Sequence, residues 1–120
     1  MPRYADGFLL AVPRRKLDTY RKISQKAGKI WKEHGALEYI ECAGDDLKVK
    51  QGVPFTKAAK TKSGEAVIFS WIVYKSRADR DRVNRKVMKD PRLVSMMDPK
   101  AMPFDMKRMA YGGFRVIVDL

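Results

Sequence analysis

Five side chains of this sequence have the chemistry to bind or transform a small molecule, and they fall at two places along the chain. His34, Tyr39 and Glu41 are close together in sequence, and Ser70 and Trp71 are neighbours further on. A histidine and a carboxylate can transfer protons, whereas hydroxyl groups and an indole can orient a bound molecule. We therefore take these residues as the candidate ligand-binding residues, and assign no catalytic role among them.

Two of these residues also have a structural interpretation. His34 falls at the end of a predicted helix, where a capping histidine is more common than a general base that reaches the sheet. Glu41 falls on a predicted edge strand, which favours a carboxylate solvated at the rim of the sheet. If Glu41 instead lies between two sheets, it is a buried carboxylate that either favours its protonated form or has a basic partner such as Arg115.

The sequence lacks the motifs of several common kinds of site. It has one cysteine, Cys42, and one histidine, so neither an internal disulfide nor a zinc site with repeated soft ligands is expected. Cys42 is expected to be a small buried packing residue. There is no glycine-rich phosphate loop, HExxH helix or nucleophile elbow. We therefore predict no metal and no cofactor.

The net charge of +12 makes nucleic acid a partner to consider. The basic residues are spread over the chain, and the densest group lies in a predicted exposed loop, Lys48–Lys62. An RNA-recognition sheet carries aromatic residues flanked by basic residues and glycine on its third strand. The third predicted strand here has no Arg, Lys or Gly between Val67 and Val73. Binding of nucleic acid in that mode is therefore disfavoured.

Two predicted strands, Phe8–Val12 and Ala66–Tyr74, are apolar at nearly every position. A strand with one wet face alternates apolar and polar residues, so both faces of this sheet should be covered. Only two long helices are predicted, over 16–34 and from about 77 to 89, and they suffice for one face. The sequence therefore predicts a homodimer in which a second copy covers the other face.

The element order predicts an α+β fold. More polar strands at Leu37–Cys42 and Phe114–Val118 complete the order strand, helix, strand, strand, helix, strand. This is the ferredoxin-like βαββαβ unit, with an antiparallel sheet whose first and third strands are central. Two such sheets would pack as a dimeric α/β barrel. By strand alternation Tyr39 shares a face with Glu41, whereas Ser70 and Trp71 point to opposite faces, so at most one of that pair faces a shared interior.

The length of 120 residues indicates one domain spanning residues 1–120. No apolar run approaches the ~20 residues that span a bilayer, and the N-terminal residues do not resemble a signal peptide. We therefore expect a cytoplasmic protein without a membrane partner.

Methionines concentrate near the C-terminal end, which indicates adaptable packing over a pocket or at a dimer contact. They are Met96, Met97, Met102, Met106 and Met109.

Several motifs together resemble the YbaA-like family of uncharacterised small bacterial proteins. They extend over essentially the whole chain, at residues 6–8, 27–39, 69–74, 97–99, 102–105 and 112–114. The resemblance implies a ferredoxin-like fold of the dimeric α/β-barrel superfamily, whose members include cofactor-independent monooxygenases and haem proteins. It implies no activity and no catalytic residue for this chain.

These observations leave three hypotheses for function. The first is a homodimeric barrel that binds a small organic molecule and, if it is an enzyme, acts as a cofactor-independent monooxygenase. The second is a basic module that associates with nucleic acid through the Lys48–Lys62 loop. The third is a structural dimer whose interior is filled by its own side chains.

Overall fold

The computed structural model describes residues 1–120 and contains one four-stranded antiparallel sheet with two long helices packed on one face. The strands are β1 (Tyr4–Pro13), β2 (Glu38–Ala43), β3 (Glu65–Tyr74) and β4 (Ala110–Arg115). The helices are α1 (Leu17–His34), α2 (Phe55–Ala58), α3 (Arg77–Met88) and α4 (Pro91–Met96). Two short 3₁₀ turns precede α1 and β4, at Arg14–Lys16 and Met106–Arg108. None of the helices is long and apolar enough to cross a membrane.

The order of the strands is β2-β3-β1-β4, so the ferredoxin-like topology is confirmed. β1 and β3 are central and pair with each other along their whole length, from Tyr4 opposite Tyr74 to Pro13 opposite Glu65. The more polar β2 and β4 are the edges. This arrangement explains the apolar pattern, because only the central strands have both neighbours and both faces to pack.

The main core lies between the sheet and the two long helices. Ile30 of α1, Ile72 and Tyr74 of β3, and Val83 and Val87 of α3 form one buried cluster. The side chains of Tyr74, Val83 and Val87 are fully inaccessible to solvent. Val83 and Val87 are therefore the inner face of α3, and both long helices cover the same face of the sheet.

Both terminal strands differ in extent from the sequence-based expectation. β1 begins at Tyr4 instead of Phe8, and β4 covers Ala110–Arg115 instead of Phe114–Val118. Asp6 is paired inside the strand and not exposed in a turn, and it lies opposite Gly113 of β4. A Cβ atom on Gly113 would lie 2.7 Å from the ring of Tyr4, so the glycine lets β4 approach β1.

The sheet face opposite the long helices, called here the outer face, is only partly covered. Phe55, the first residue of α2, packs edge-on against Phe69, with ring centroids 5.7 Å apart. Phe69 nevertheless stays 44% exposed, Ile40 39% and Phe114 63%. The Lys48–Lys62 segment, expected to be an exposed loop, thus carries a short helix that covers one end of this face. The rest is an apolar surface without a partner in the chain.

Candidate functional site

A cavity of about 170 Å³ lies between α1, the helix-covered face of the sheet and the segment that follows α4. Of its 19 lining residues 16 are hydrophobic, among them Phe8, Leu10, Ile23, Ala27, Trp31 and Ile72. An engineered apolar cavity of about 150 Å³ holds benzene. The size and lining of this cavity therefore suit a molecule of about one ring.

The polar wall of the cavity is a carboxylate held by two tyrosines. Tyr20 of α1 donates its hydroxyl hydrogen to Oε1 of Glu41 at 2.7 Å, and Tyr39 of β2 donates to Oε2 at 2.9 Å. These three residues are called the polar cluster below. Ser70 lies opposite Glu41 in the β2–β3 register and also lines the cavity. The arrangement brings one acceptor and several hydroxyl groups to one end of an apolar space.

Both tyrosines of the polar cluster remain protonated donors at neutral pH. Burial, followed by the nearby charge of Glu41 and the hydrogen bond to it, raises the pKa of Tyr20 above the ordinary value. The same causes, in the same order, raise the pKa of Tyr39. A phenol that stays neutral donates a hydrogen bond to any acceptor that takes the place of the carboxylate.

Gly28 lets Tyr39 reach Glu41. The ring of Tyr39 lies over this residue of α1, and a Cβ atom there would be 2.6 Å from Cδ1 of the ring. A glycine inside a helix costs about 1 kcal/mol relative to alanine. The close approach of α1 to β2 explains why the helix carries that cost.

A second depression, of about 350 Å³, lies on the other side of the polar cluster and opens between α1 and β2. Tyr20, Ser24, Tyr39 and Glu41 line both spaces. The second space is lined further by Leu17, Arg21, Gln25, Cys42, Ala43 and Ile68. The polar cluster therefore separates an apolar interior from a more polar depression at the surface.

Cys42 was expected to be buried, and this expectation is wrong. The residue is exposed because β2 is an edge strand that no further strand covers. Its neighbour Glu41 points to the opposite side, towards α1.

A hydrogen-bonded network around Asn84 holds one of the aromatic walls. Trp31 donates its indole hydrogen to Oδ1 of Asn84 at 3.1 Å, and Tyr74 donates to the same oxygen at 3.2 Å. The amide of Asn84 reaches Asp6 at 3.5 Å, and Asp6 in turn pairs with Arg80 at 3.3 Å. These contacts orient the indole of Trp31 along the cavity wall.

The segment after α4 closes the cavity with flexible apolar side chains. Four of the methionines singled out in the sequence line it, together with Phe104: Met97, Met102, Met106 and Met109. This confirms the packing of that segment over a pocket. Arg108 attaches the segment to the start of β3 through two hydrogen bonds to the carboxylate of Glu65, at 2.8 and 2.7 Å.

Three of the candidate residues, Tyr39, Glu41 and Ser70, line the cavity together. Trp71 borders it as well, although its ring packs against Phe69 on the outer face, with centroids 5.6 Å apart. His34 lies apart from the cavity lining, with Nε2 2.8 Å from Oδ2 of Asp90.

The sequence-based view of Glu41 needs a correction. Its carboxylate is not paired with Arg115, because Arg115 lies on β4 at the opposite edge of the sheet. It borders the surface depression on one side, and it is held by Tyr39 and by Tyr20, which lies on the apolar stripe of α1. A tyrosine in such a stripe is typical of core packing, so the sequence held no signal for its hydrogen bond to β2.

Comparison with known proteins places the chain in a family. Residues 3–106 match the model of a family described as "Protein of unknown function (DUF1428)". The chain belongs to this family. It is 45% identical over 117 residues to the uncharacterized protein YbaA of Escherichia coli (strain K12), covering 98% of each chain. The resemblance to the YbaA-like family is thereby confirmed.

Solved structures with the same fold are much more distant in sequence. SnoaB, a cofactor-independent oxygenase from Streptomyces nogalater, superposes with a TM-score of 0.62 at 10% identity, over 100% of this chain and 98% of SnoaB. A dimeric ferredoxin-like protein from an uncultured marine organism superposes with a TM-score of 0.57 at 12% identity, over 100% of both chains. At these low identities the likeness shows that the chain shares the fold of these proteins, and nothing more.

Proposed function

We propose that this protein is a homodimer that binds a small, mostly apolar molecule carrying one oxygen group in the cavity of each subunit. The observation that carries the proposal is the polar cluster at one end of an otherwise apolar space of about 170 Å³. A ligand hydroxyl donates to Glu41, whereas a ligand carbonyl accepts from Tyr20 or Tyr39. The apolar walls contribute affinity, and the cluster selects for the oxygen group.

The homodimer is supported by the outer face. Strands β1 and β3 carry apolar residues on both sides, and α1 and α3 cover only one of them. Phe69 and Phe114 are large apolar side chains left exposed on the other side. A second copy placed sheet to sheet would bury them, and a structural neighbour with this fold is described as dimeric. The ligand cavities lie on the helix side of each sheet, outside this contact.

The binding proposal is tested with two probes of similar shape, phenol and toluene, titrated by isothermal calorimetry. Phenol can donate to Glu41 and toluene cannot. A hydrogen bond to a charged acceptor contributes about 1.5 kcal/mol or more, so phenol should bind about tenfold more tightly. Equal affinities, or no saturable binding of either probe, would contradict the proposal.

A pair of matched variants assigns the preference to Glu41. Glu41→Gln should abolish the difference between phenol and toluene, because the amide no longer offers two charged acceptor oxygens. Glu38→Gln changes the same group on the same strand, but that side chain lies near Arg3, 3.8 Å away, and outside the cavity lining. It should leave both affinities unchanged.

His34 and Trp71 remain proposals from the sequence, tested by His34→Ala and Trp71→Ala in the same titrations. If they are part of the site, both variants lose affinity while the dimer persists. If both variants bind phenol with the affinity of the wild type, neither residue belongs to the site.

Cofactor-independent oxygenation is a second candidate function. The observation that favours it is the likeness of the fold to SnoaB, which carries out such chemistry. The test is oxygen uptake with an electron-rich phenol such as hydroquinone, compared with its autoxidation in buffer. Uptake above that rate, lost in Glu41→Gln, would support oxygenation, and uptake equal to the buffer rate would contradict it for this class of compound.

A further inference from the structure

Glu41 lies between two spaces of different character. This residue lines the apolar cavity of about 170 Å³, and it also lines the more polar depression of about 350 Å³ at the surface. A carboxylate in this position can meet a bound molecule on one side and exchange protons with water on the other. That is the placement a general base requires, since it must be restored after each proton transfer.

The two tyrosines supply the complementary group. Each donates to a different oxygen of Glu41, Tyr20 at 2.7 Å and Tyr39 at 2.9 Å. Either phenol can therefore turn to a ligand oxygen while the other keeps the carboxylate in place. Both phenols are kept neutral by burial and by Glu41, so they serve as donors and do not compete as bases. A base and a hydrogen-bond donor facing one apolar cavity form the arrangement that enolises carbonyl compounds.

We propose that the polar cluster catalyses proton transfer at the carbon next to the carbonyl of a cyclic ketone bound in the cavity. This inference rests on the proposed binding function and names its ligand class and its chemistry. Glu41 is the catalytic base, and Tyr20 or Tyr39 is the donor to the carbonyl oxygen.

The reaction balances without any oxidant or cofactor. Glu41 takes the proton from the α-carbon, and the electron pair of that C–H bond becomes the C=C bond of an enolate. The carbonyl π electrons move onto oxygen, where the phenol hydrogen bond stabilises the negative charge. Glu41 then exchanges its proton with water through the surface depression and returns a proton to carbon. The net result is exchange of hydrogen at carbon, or migration of a neighbouring double bond where the ketone has one.

The ligand class follows from the walls. Trp31, Phe8 and Ile72 offer apolar surface on several sides, and the volume suits about one ring. An anionic molecule would find no positive side chain in this lining, and a cation would find only Glu41, whose two oxygens already accept hydrogen bonds from Tyr20 and Tyr39. The substrate is therefore a neutral ring compound with a carbonyl group, such as cyclohexanone.

The test measures deuterium incorporation into cyclohexanone in D₂O by proton NMR, with the wild-type protein. General-base catalysis contributes about 100-fold or more, so exchange should clearly exceed the buffer rate. Glu41→Gln should reduce it to the buffer rate, Glu41→Asp should retain part of it, and Tyr39→Phe should give an intermediate rate. Glu38→Gln, the matched control on the same strand, should exchange like the wild type. Circular dichroism of each variant shows whether it is folded.

Binding is measured on the same samples by isothermal calorimetry, which separates this inference from the binding proposal. If cyclohexanone binds and exchange stays at the buffer rate, proton transfer is refuted and the binding site stands. If exchange is catalysed equally well by Glu41→Gln, Glu41 is not the base and the inference fails. If cyclohexanone does not bind at all, both the binding of this ligand class and the chemistry are overturned.

Discussion

Replacing Gly28 by alanine should disturb the polar cluster, although alanine is the better helix former. The exchange by itself stabilises α1 by about 1 kcal/mol. The new Cβ atom, however, would lie 2.6 Å from Cδ1 and 2.8 Å from Cε1 of Tyr39. Overpacking of this kind costs about 1–3 kcal/mol, and the ring must also leave its hydrogen bond to Glu41. We therefore expect Gly28→Ala to lower the free energy of unfolding by about 1 kcal/mol and to weaken phenol binding.

A double-mutant cycle isolates the contact. Urea unfolding is followed by circular dichroism for wild type, Gly28→Ala, Tyr39→Ala and the double variant. In the Tyr39→Ala background the ring is absent, so alanine at 28 should stabilise the protein by about 1 kcal/mol. Lys29→Ala, at an exposed position on the same helix, is the control for helix propensity. If Gly28→Ala stabilises the wild type and leaves phenol affinity unchanged, the packing of Tyr39 over Gly28 is wrong.

Three further predictions concern other parts of the molecule. Hydrogen bonds from Arg108 hold the pKa of Glu65 at about 2, below its ordinary value of 4.5. The stabilisation by this pair is complete above about pH 4.5 and is lost as the pH falls towards 2. The melting temperature of Glu65→Gln should therefore fall less than that of the wild type between about pH 6 and pH 3. Equal falls in the two melting temperatures would refute this. Phe69→Asp on the outer face should convert the dimer to a monomer in light scattering, whereas a dimer of unchanged mass would exclude that face as the contact. His34→Ala should lower the melting temperature, because Asp90 loses a hydrogen bond of 2.8 Å; a melting temperature equal to that of the wild type would refute this.

The fold could be predicted from the sequence because local patterns and topology agree. The apolar runs at Phe8–Val12 and Ala66–Tyr74 identify the two central strands. Gly35 ends α1 with a φ of +124°, and a glycine directly after a helical stretch is typical of such an end. Ser76 caps α3 by accepting a hydrogen bond from the backbone of Asp79 at 3.1 Å, and a serine three residues before a carboxylate is typical of such a cap.

The site was predictable only in part, because its members come from elements far apart in sequence. Strand alternation correctly placed Tyr39 beside Glu41, but the face to which they point depends on how α1 packs on β2. Tyr20 was visible only as one apolar position among several on α1. The start of β1 was missed for a similar reason, because Asp6 resembles a turn residue until Arg80 of α3 is seen beside it.

The central claim is that the apolar cavity holds a small molecule whose oxygen meets the polar cluster. Its most direct test is a crystal of the protein grown with 4-bromophenol, in which anomalous scattering locates the bromine. We predict bromine among Phe8, Leu10 and Trp31, with the phenol oxygen within hydrogen-bond distance of Glu41. Bromine found only on the outer face or at the surface, with the cavity closed by its own side chains, would contradict the claim.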